Sequence, residues 1–157
     1  MNRGAIMDFT TYRKKIEYLS RSITDNIVLI FRPILDHYGI TYLQYQILYQ
    51  IKAYEPCPIG KLAKLVRMEN GNTSATCKKL EMAGLLIRSR SEKDERVVNL
   101  SLTPQGNQMV SDISATLDQK YRTYWQQASE QEDMASNIEA LEKTNSFTQK
   151  LLDLDRS

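Results

Sequence analysis

Side chains suited to catalysis or metal binding are scarce in this 157-residue chain. It holds one histidine, two cysteines, one tryptophan, four prolines and six glycines. Cys57 and Cys77 form no C-x-x-C, and a single imidazole supplies a zinc site poorly. There is no paired-carboxylate constellation, no Ser/His/Asp arrangement and no phosphate-cradling glycine loop, so an enzyme finds no support. No metal and no cofactor are expected. Apolar runs are short: the longest, Ile27 to Phe31, is stopped by Arg32 and Pro33, far below the ~20 residues of a membrane span. The N-terminal stretch MNRGAIMDFTTYRKK lacks the apolar segment and small-residue cleavage site of a signal peptide. The expectation is a reduced, cytoplasmic protein with no membrane partner, built as one domain around one core.

What is present is charge, unevenly spread. Residues 1–55 carry seven Lys/Arg against five Asp/Glu, residues 56–106 nine against five, and residues 107–157 five against nine. The overall charge is only +2, but the middle third is basic and the last third acidic. An anionic partner for the middle segment is the natural inference.

Periodicity predicts a mostly helical chain. Ile16, Leu19, Ile23, Ile27, Ile30 and Ile34 recur at three- and four-residue spacing, with a kink or break expected near Leu29 to Pro33. Gly39 stops this helix, and Thr41 caps a second, YLQYQILYQIKAY, with Leu43, Ile47, Leu48 and Ile51 inward. A third helix carries Ile59, Leu62, Ala63 and Val66. The turn RMENGN then leads to a fourth that runs to about Ala83, with Gly84 placed to end it. The runs Leu85 to Ser91 and Val97 to Leu102 alternate around the charged turn Lys93-Asp94-Glu95-Arg96 and predict a two-stranded hairpin. Thr103-Pro104 starts another helix, striped by Val110, Ile113, Leu117, Tyr121, Tyr124 and Ala128. Ser129 to Glu132 reads as a capping box for a last helix carrying Met134, Ile138, Leu141, Phe147, Leu151 and Leu154.

Two short helices, a tight turn and a hairpin make a winged helix–turn–helix, whose second helix enters the DNA major groove. At 100° per residue, Thr73, Cys77, Leu80 and Gly84 fall on the core side of the fourth helix. Gly71, Ala75, Lys78, Lys79 and Met82 face away, with Asn72 and Ser74 toward the edges. A small residue at 75 permits close approach to the groove floor. Lys78 and Lys79 reach phosphates or a guanine edge, while Asn70, Asn72 and Ser74 sit where a helix N-terminus favours phosphate. A plain solvated face fits the two lysines equally well.

The wing narrows the choice. Asp94, Arg96, Leu100, Leu102, Thr103 and Gly106 spell D-x-R-x-x-x-L-x-L-T-x-x-G. Leu80, Glu81, Gly84, Leu85 and Arg88 spell L-E-x-x-G-L-x-x-R. With the IGKLAKLV helix, these resemble the MarR family of winged helix–turn–helix transcriptional regulators, over about residues 40–106. The resemblance implies that Arg96 enters the minor groove while Asp94 holds its guanidinium, and it adds Arg88 to the DNA-binding set. A narrow A·T-rich groove concentrates negative potential, and arginine sheds water more readily than lysine. The chain departs from many relatives at Ala75, where they carry arginine, which shifts readout toward Lys78 or Ser74. The implied protein is a single domain, 1–157. Residues 39–106 bind double-stranded DNA, and residues 1–38 and 107–157 form dimerisation helices. It acts as a homodimeric repressor on a pseudo-palindromic operator.

Two sensing devices follow from the same resemblance. Some members of the family bind small aromatic anions between the dimerisation helices and the winged helix. Tyr38, Tyr42 and Tyr45, with Tyr49 close by, cluster there, with Arg32 and His37 available for an anion; half-buried packing is their plainer role. Others sense oxidants through a cysteine. Cys77 falls on the core side, and Cys57, between two prolines, is expected to be exposed, but neither lies on the first helix, where the reactive cysteine of the family's peroxide sensors lies. A small-molecule effector is therefore preferred to a redox switch. The rival from another class is a winged-helix protein-interaction module without specific DNA binding.

Overall fold

The computed structural model describes residues 7–91, 94 and 96–154. Its elements in chain order are α1 (Phe9–Tyr38), α2 (Tyr42–Ala53), β1 (Cys57–Pro58), α3 (Ile59–Leu65), α4 (Asn70–Met82), β2 (Leu86–Arg90), β3 (Val98–Leu102), α5 (Pro104–Gln131) and α6 (Met134–Leu154). The chain divides into two compact units, one ending at Leu117 and the other beginning at Asp118.

In the first unit the core gathers Ile34 and Leu35 of α1, Ile47, Leu48 and Ile51 of α2, and Leu62 of α3. Cys77 and Leu80 of α4, Leu86 and Leu100 of the sheet, and Val110 and Ile113 of α5 complete it. Each buried Leu or Ile contributes about 1.5–3 kcal/mol relative to exposure. Gly39 adopts the left-handed conformation (φ 66°) and its N–H closes the end of α1 on Asp36 and Leu35 carbonyls. Thr41 then caps α2, and Gln44 returns the bond to the Thr41 N–H.

Several elements differ from the sequence expectation, each for a local reason. Pro33 lies inside a continuous α1, so of the kink or break expected near Leu29 to Pro33 no break occurs. It removes one backbone donor, but the next two residues, Ile34 and Leu35, are buried in the core and anchor the helix just beyond it. The turn before α4 is shorter than RMENGN, because Asn70, Gly71 and Asn72 already belong to the helix and Glu69 is its N-cap. Ser129 does not start a helix: its Oγ donates to the Gln126 carbonyl within α5. Asp133 caps α6 instead, accepting from the Ser136 N–H at 3.0 Å.

The two-stranded wing is also part of a larger sheet. β1 pairs antiparallel with β3, giving the order β1-β3-β2, with Cys57 opposite Leu100 and Leu86 opposite Leu102. Cys57, expected outside, is fully buried as a result. A strand two residues long carries no periodicity that a sequence could display.

The base of the hairpin is held by one threonine. Thr103 Oγ1 donates to the Gly84 carbonyl at 2.7 Å and accepts from the Gly106 N–H at 3.0 Å. Its own N–H donates to the Leu85 carbonyl at 3.2 Å. Gly84 has φ 72°, a left-handed position that ends α4 and turns the chain into β2. Gly106 has no room for a side chain, because a Cβ there would collide with the Leu85 carbonyl. The L-T-x-x-G motif is therefore a clasp that joins the end of α4 to the start of α5, with the wing looped out between them.

Gly106→Ala should destabilise the protein by about 1–3 kcal/mol or more, since the obstruction is backbone and cannot rotate away. Gly60→Ala, at an α3 position with nothing within 4 Å, should be neutral or stabilise by up to about 1 kcal/mol. Urea denaturation of the two variants checks the contrast; equal midpoints would remove the clasp argument.

Candidate nucleic-acid interface

The α4 helix is anchored on one side only. Thr73, Cys77 and Leu80 are buried, and Thr73 Oγ1 satisfies itself on the Glu69 carbonyl at 3.0 Å. The outward face presents Asn70, Asn72, Ala75, Lys78 and Lys79, all exposed, as the 100° projection predicts. Met82 closes that face at 80% exposure. A helix with three buried residues in thirteen holds its place by packing while leaving most of its circumference open. That is the requirement for a helix entering a groove.

Ser74 sits half-buried at the helix edge, and Arg88 of β2 reaches it, Nη2 to Oγ at 3.4 Å. Arg88 thus braces α4 against the wing and stands behind the helix's outer face. At the wing tip Asp94 and Arg96 are both exposed. The Asp94 carboxylate accepts from the Arg96 backbone N–H at 3.0 Å, and the ion pairs among the described residues, Arg13–Glu17 and Lys143–Glu139, do not include these two side chains. Asp94 shapes the turn through the backbone, and the Arg96 side chain is exposed. Lys93 and Glu95 lie outside the described residues.

Lys64 and Arg67 also lie beside this surface. They line an open groove with Gly60, Ala63, Met68, Asn70 and the carboxylate-bearing Glu69 at the α3–α4 turn. Arg67 occupies a left-handed backbone position, φ 52°. Lys64 belongs to α3 and Arg67 to the turn just beyond its end, and the three-residue spacing of the two cations was available in the sequence as a signal.

The tyrosine cluster is chiefly packing. Phe31 lies 5.1 Å from both Tyr42 and Tyr45, ring centre to ring centre, and Tyr45 lies 6.0 Å from Tyr49. Tyr45 is buried, its hydroxyl 3.3 Å from Ser114 Oγ. Burial pushes the Tyr42 hydroxyl pKa up, against a hydrogen bond with the Gln46 side chain. Tyr38 is half-buried with its ring edge-on to His37 at 5.3 Å, while Arg32 and His37 are exposed. The structure thus brings the tyrosines together around Phe31 and leaves the two candidates for an anion, Arg32 and His37, on the surface.

Both cysteines are fully buried and free. Burial raises the Cys57 thiol above its ordinary value, with Lys61 opposing, and pushes Cys77 up to about 11, with Arg88 opposing. Both shifts favour the protonated thiol, the less nucleophilic form. Among the described residues no group of three or more His, Cys, Asp or Glu could hold a metal, and no helix is long and apolar enough to cross a membrane.

A helix presented outward from a small core, braced by a hairpin with an arginine at its tip, defines a winged-helix DNA-binding protein. The model of the SarA/Rot family of transcriptional regulators matches residues 29–113, and the chain belongs to that family, a MarR-type group of winged-helix transcriptional regulators rather than enzymes. The SarZ transcriptional regulator of Staphylococcus epidermidis is 34% identical over 107 residues, covering 66% of this chain and 72% of that protein. The organic hydroperoxide resistance transcriptional regulator of Bacillus subtilis is 37% identical over 76 residues; the match spans 48% of this chain and only 52% of the relative. Among solved structures, a mutant of MarR from E. coli in complex with operator DNA superposes with a TM-score of 0.71 at 18% identity. It covers 88% of this chain and 98% of that one, a likeness of fold.

Thiol burial has a measurable consequence. In the native protein both cysteines should label slowly with a thiol reagent, at the rate of global opening. The unfolded Cys77 thiol loses its proton near 9.0 and the folded one near 11, so the unfolded state binds fewer protons between them. Stability should therefore decline as pH rises through that window, and more steeply than in Cys77→Ala. Rapid labelling at pH 7 without denaturant would contradict the buried placement.

Proposed function

We propose that the protein is a sequence-specific DNA-binding repressor that acts as a homodimer on a pseudo-palindromic operator. The observation that carries this reading is the exposed α4 face, Asn70, Asn72, Ala75, Lys78 and Lys79, on the same small module as the exposed Arg96 of the wing. Lys78 and Lys79 contact the phosphate backbone or a guanine edge, Ala75 lets the helix approach the groove floor, and Ser74 is held in place by Arg88. Arg96 enters the adjacent minor groove, attracted by its negative potential.

The homodimer is supported by apolar surface. Phe9, Leu19, Ile23 and Ile30 of α1 are each more than 40% exposed, as are Ile138, Leu141 and Leu152 of α6. Stripes of this kind on long helices are covered by a second copy in the reading proposed here. Two copies then present two recognition helices to half-sites about 34–36 Å apart, one turn of DNA.

A small anionic effector bound near Arg32, His37, Tyr38 and Tyr42 is the proposed means of control, Tyr45 forming the floor beneath them. The redox alternative draws on the name of the B. subtilis relative, but the buried, protonated thiols of this chain weigh against it. A protein-interaction module is separated from both by whether DNA is retained at all.

Light scattering at micromolar concentration should give twice the 18.2 kDa chain mass, and removal of residues 140–157 should weaken association. A uniform ~18 kDa species at that concentration would overturn the dimer. For DNA, Arg96→Ala should weaken operator binding by about 1–3 kcal/mol and lower the salt slope by about one unit per subunit. Asp94→Asn should matter less than Asp94→Ala, because asparagine keeps an oxygen for the Arg96 N–H. Binding isotherms at several salt concentrations decide the matter, and a folded Arg96→Ala dimer with wild-type affinity and slope would sink the minor-groove role.

A further inference from the structure

We propose that Arg90 is a second DNA contact of the wing: a phosphate clamp on the backbone strand that separates the groove holding α4 from the groove holding the wing tip. The inference rests on the DNA-binding reading above and extends it to a residue that neither the motif nor the helical projection singles out.

Strand register sets which face of the wing carries the arginines. Leu86, Arg88 and Arg90 pair with Leu102, Leu100 and Val98, so these six residues share one face of the sheet. Ile87, Ser89, Asn99 and Ser101 occupy the other face, which has no cation. Both arginines of the hairpin strands therefore stand on the face that packs inward at its base. That placement would be costly if the face were buried throughout. Along β2 it runs from buried Leu86, through half-buried Arg88, to exposed Arg90.

Arg88 fixes where this row points, since its guanidinium meets Ser74 on α4. Contacts fall progressively earlier on α4 as the chain proceeds along β2, the Leu85 N–H on the Leu80 carbonyl and the Arg88 guanidinium on Ser74, and each step of two strand residues advances about 7 Å. Helix rise is about 1.5 Å per residue, so one such step corresponds to between four and five residues of α4. Arg90 accordingly extends beyond Ser74 toward the level of the first turn, where Asn70 and Asn72 are exposed. Among the described residues no carboxylate pairs with it.

A winged helix straddles one sugar-phosphate strand when its helix occupies a major groove and its wing the neighbouring minor groove. That strand must cross the surface between α4 and the wing tip, where Arg90 stands. A guanidinium matches phosphate geometry with two parallel N–H donors, and it carries no base information in doing so.

The test uses the full chain and two duplexes of equal length, one selected by the wild-type protein from a random pool and one scrambled. Arg90→Ala should weaken both by the same factor, about 3- to 30-fold, and lower the salt slope by about one per subunit. Arg90→Lys should keep the slope and recover part of the affinity, which a merely misfolded wing would not allow. If Arg90→Ala binds both duplexes like wild type while Arg96→Ala does not, the clamp is wrong and the DNA reading stands. Relaxed preference at one base position, with scrambled DNA unaffected, would also overturn the clamp in favour of a base contact. A wild-type protein that retains neither duplex removes the DNA reading and the clamp together.

Discussion

The contact between Thr103 and the Gly84-Leu85 turn governs the geometry of the DNA-facing module. Three hydrogen bonds on one residue join the end of α4, the foot of the hairpin and the first turn of α5. Because β2 starts just after this point and β3 ends just before it, the strands leave the core in fixed register. The α4 helix and the wing are then oriented by the same few atoms, and a displacement at Gly106 would reach both.

The clasp acts with a second brace from Arg88 to Ser74. One is a short-range backbone latch at the base, and the other a side-chain strut halfway along. Together they leave the wing tip free to carry charge without a packing role. Division of labour of this kind suits a DNA-binding surface, since contacts to phosphate and base need defined direction while their own side chains stay solvated until binding. The small core beneath, shared by α2, α3, α4, α5 and the sheet, supplies the rigidity.

Charge and burial also separate two ways of sensing. The thiols sit where their protonated form is favoured, Cys57 on strand β1 of the sheet and Cys77 on the packed side of α4. The aromatic side chains around Phe31 are partly open, and Arg32 and His37 lie exposed nearby. Chemistry at sulphur would have to begin by opening the core, whereas an anion could approach Arg32 and His37 from solvent.

Much of the fold was legible in the chain itself, because periodicity and caps are local properties. The three- and four-residue spacings located the helices, Gly39, Thr41 and Gly84 marked their ends, and the 100° projection separated Thr73, Cys77 and Leu80 from the face of Ala75, Lys78 and Lys79. The wing motif pointed to the family, and its threonine and glycine are there for steric reasons that hold wherever the turn occurs. Other features depended on residues far apart in sequence. Cys57 is buried because a two-residue strand meets Leu100, and Pro33 is tolerated because Ile34 and Leu35 pack on a distant core. Asp94 takes the Arg96 backbone rather than its guanidinium because the turn places the N–H closer. Local rules set what each segment can form, but burial and register are decided by the partner across the core, which only the tertiary structure supplies.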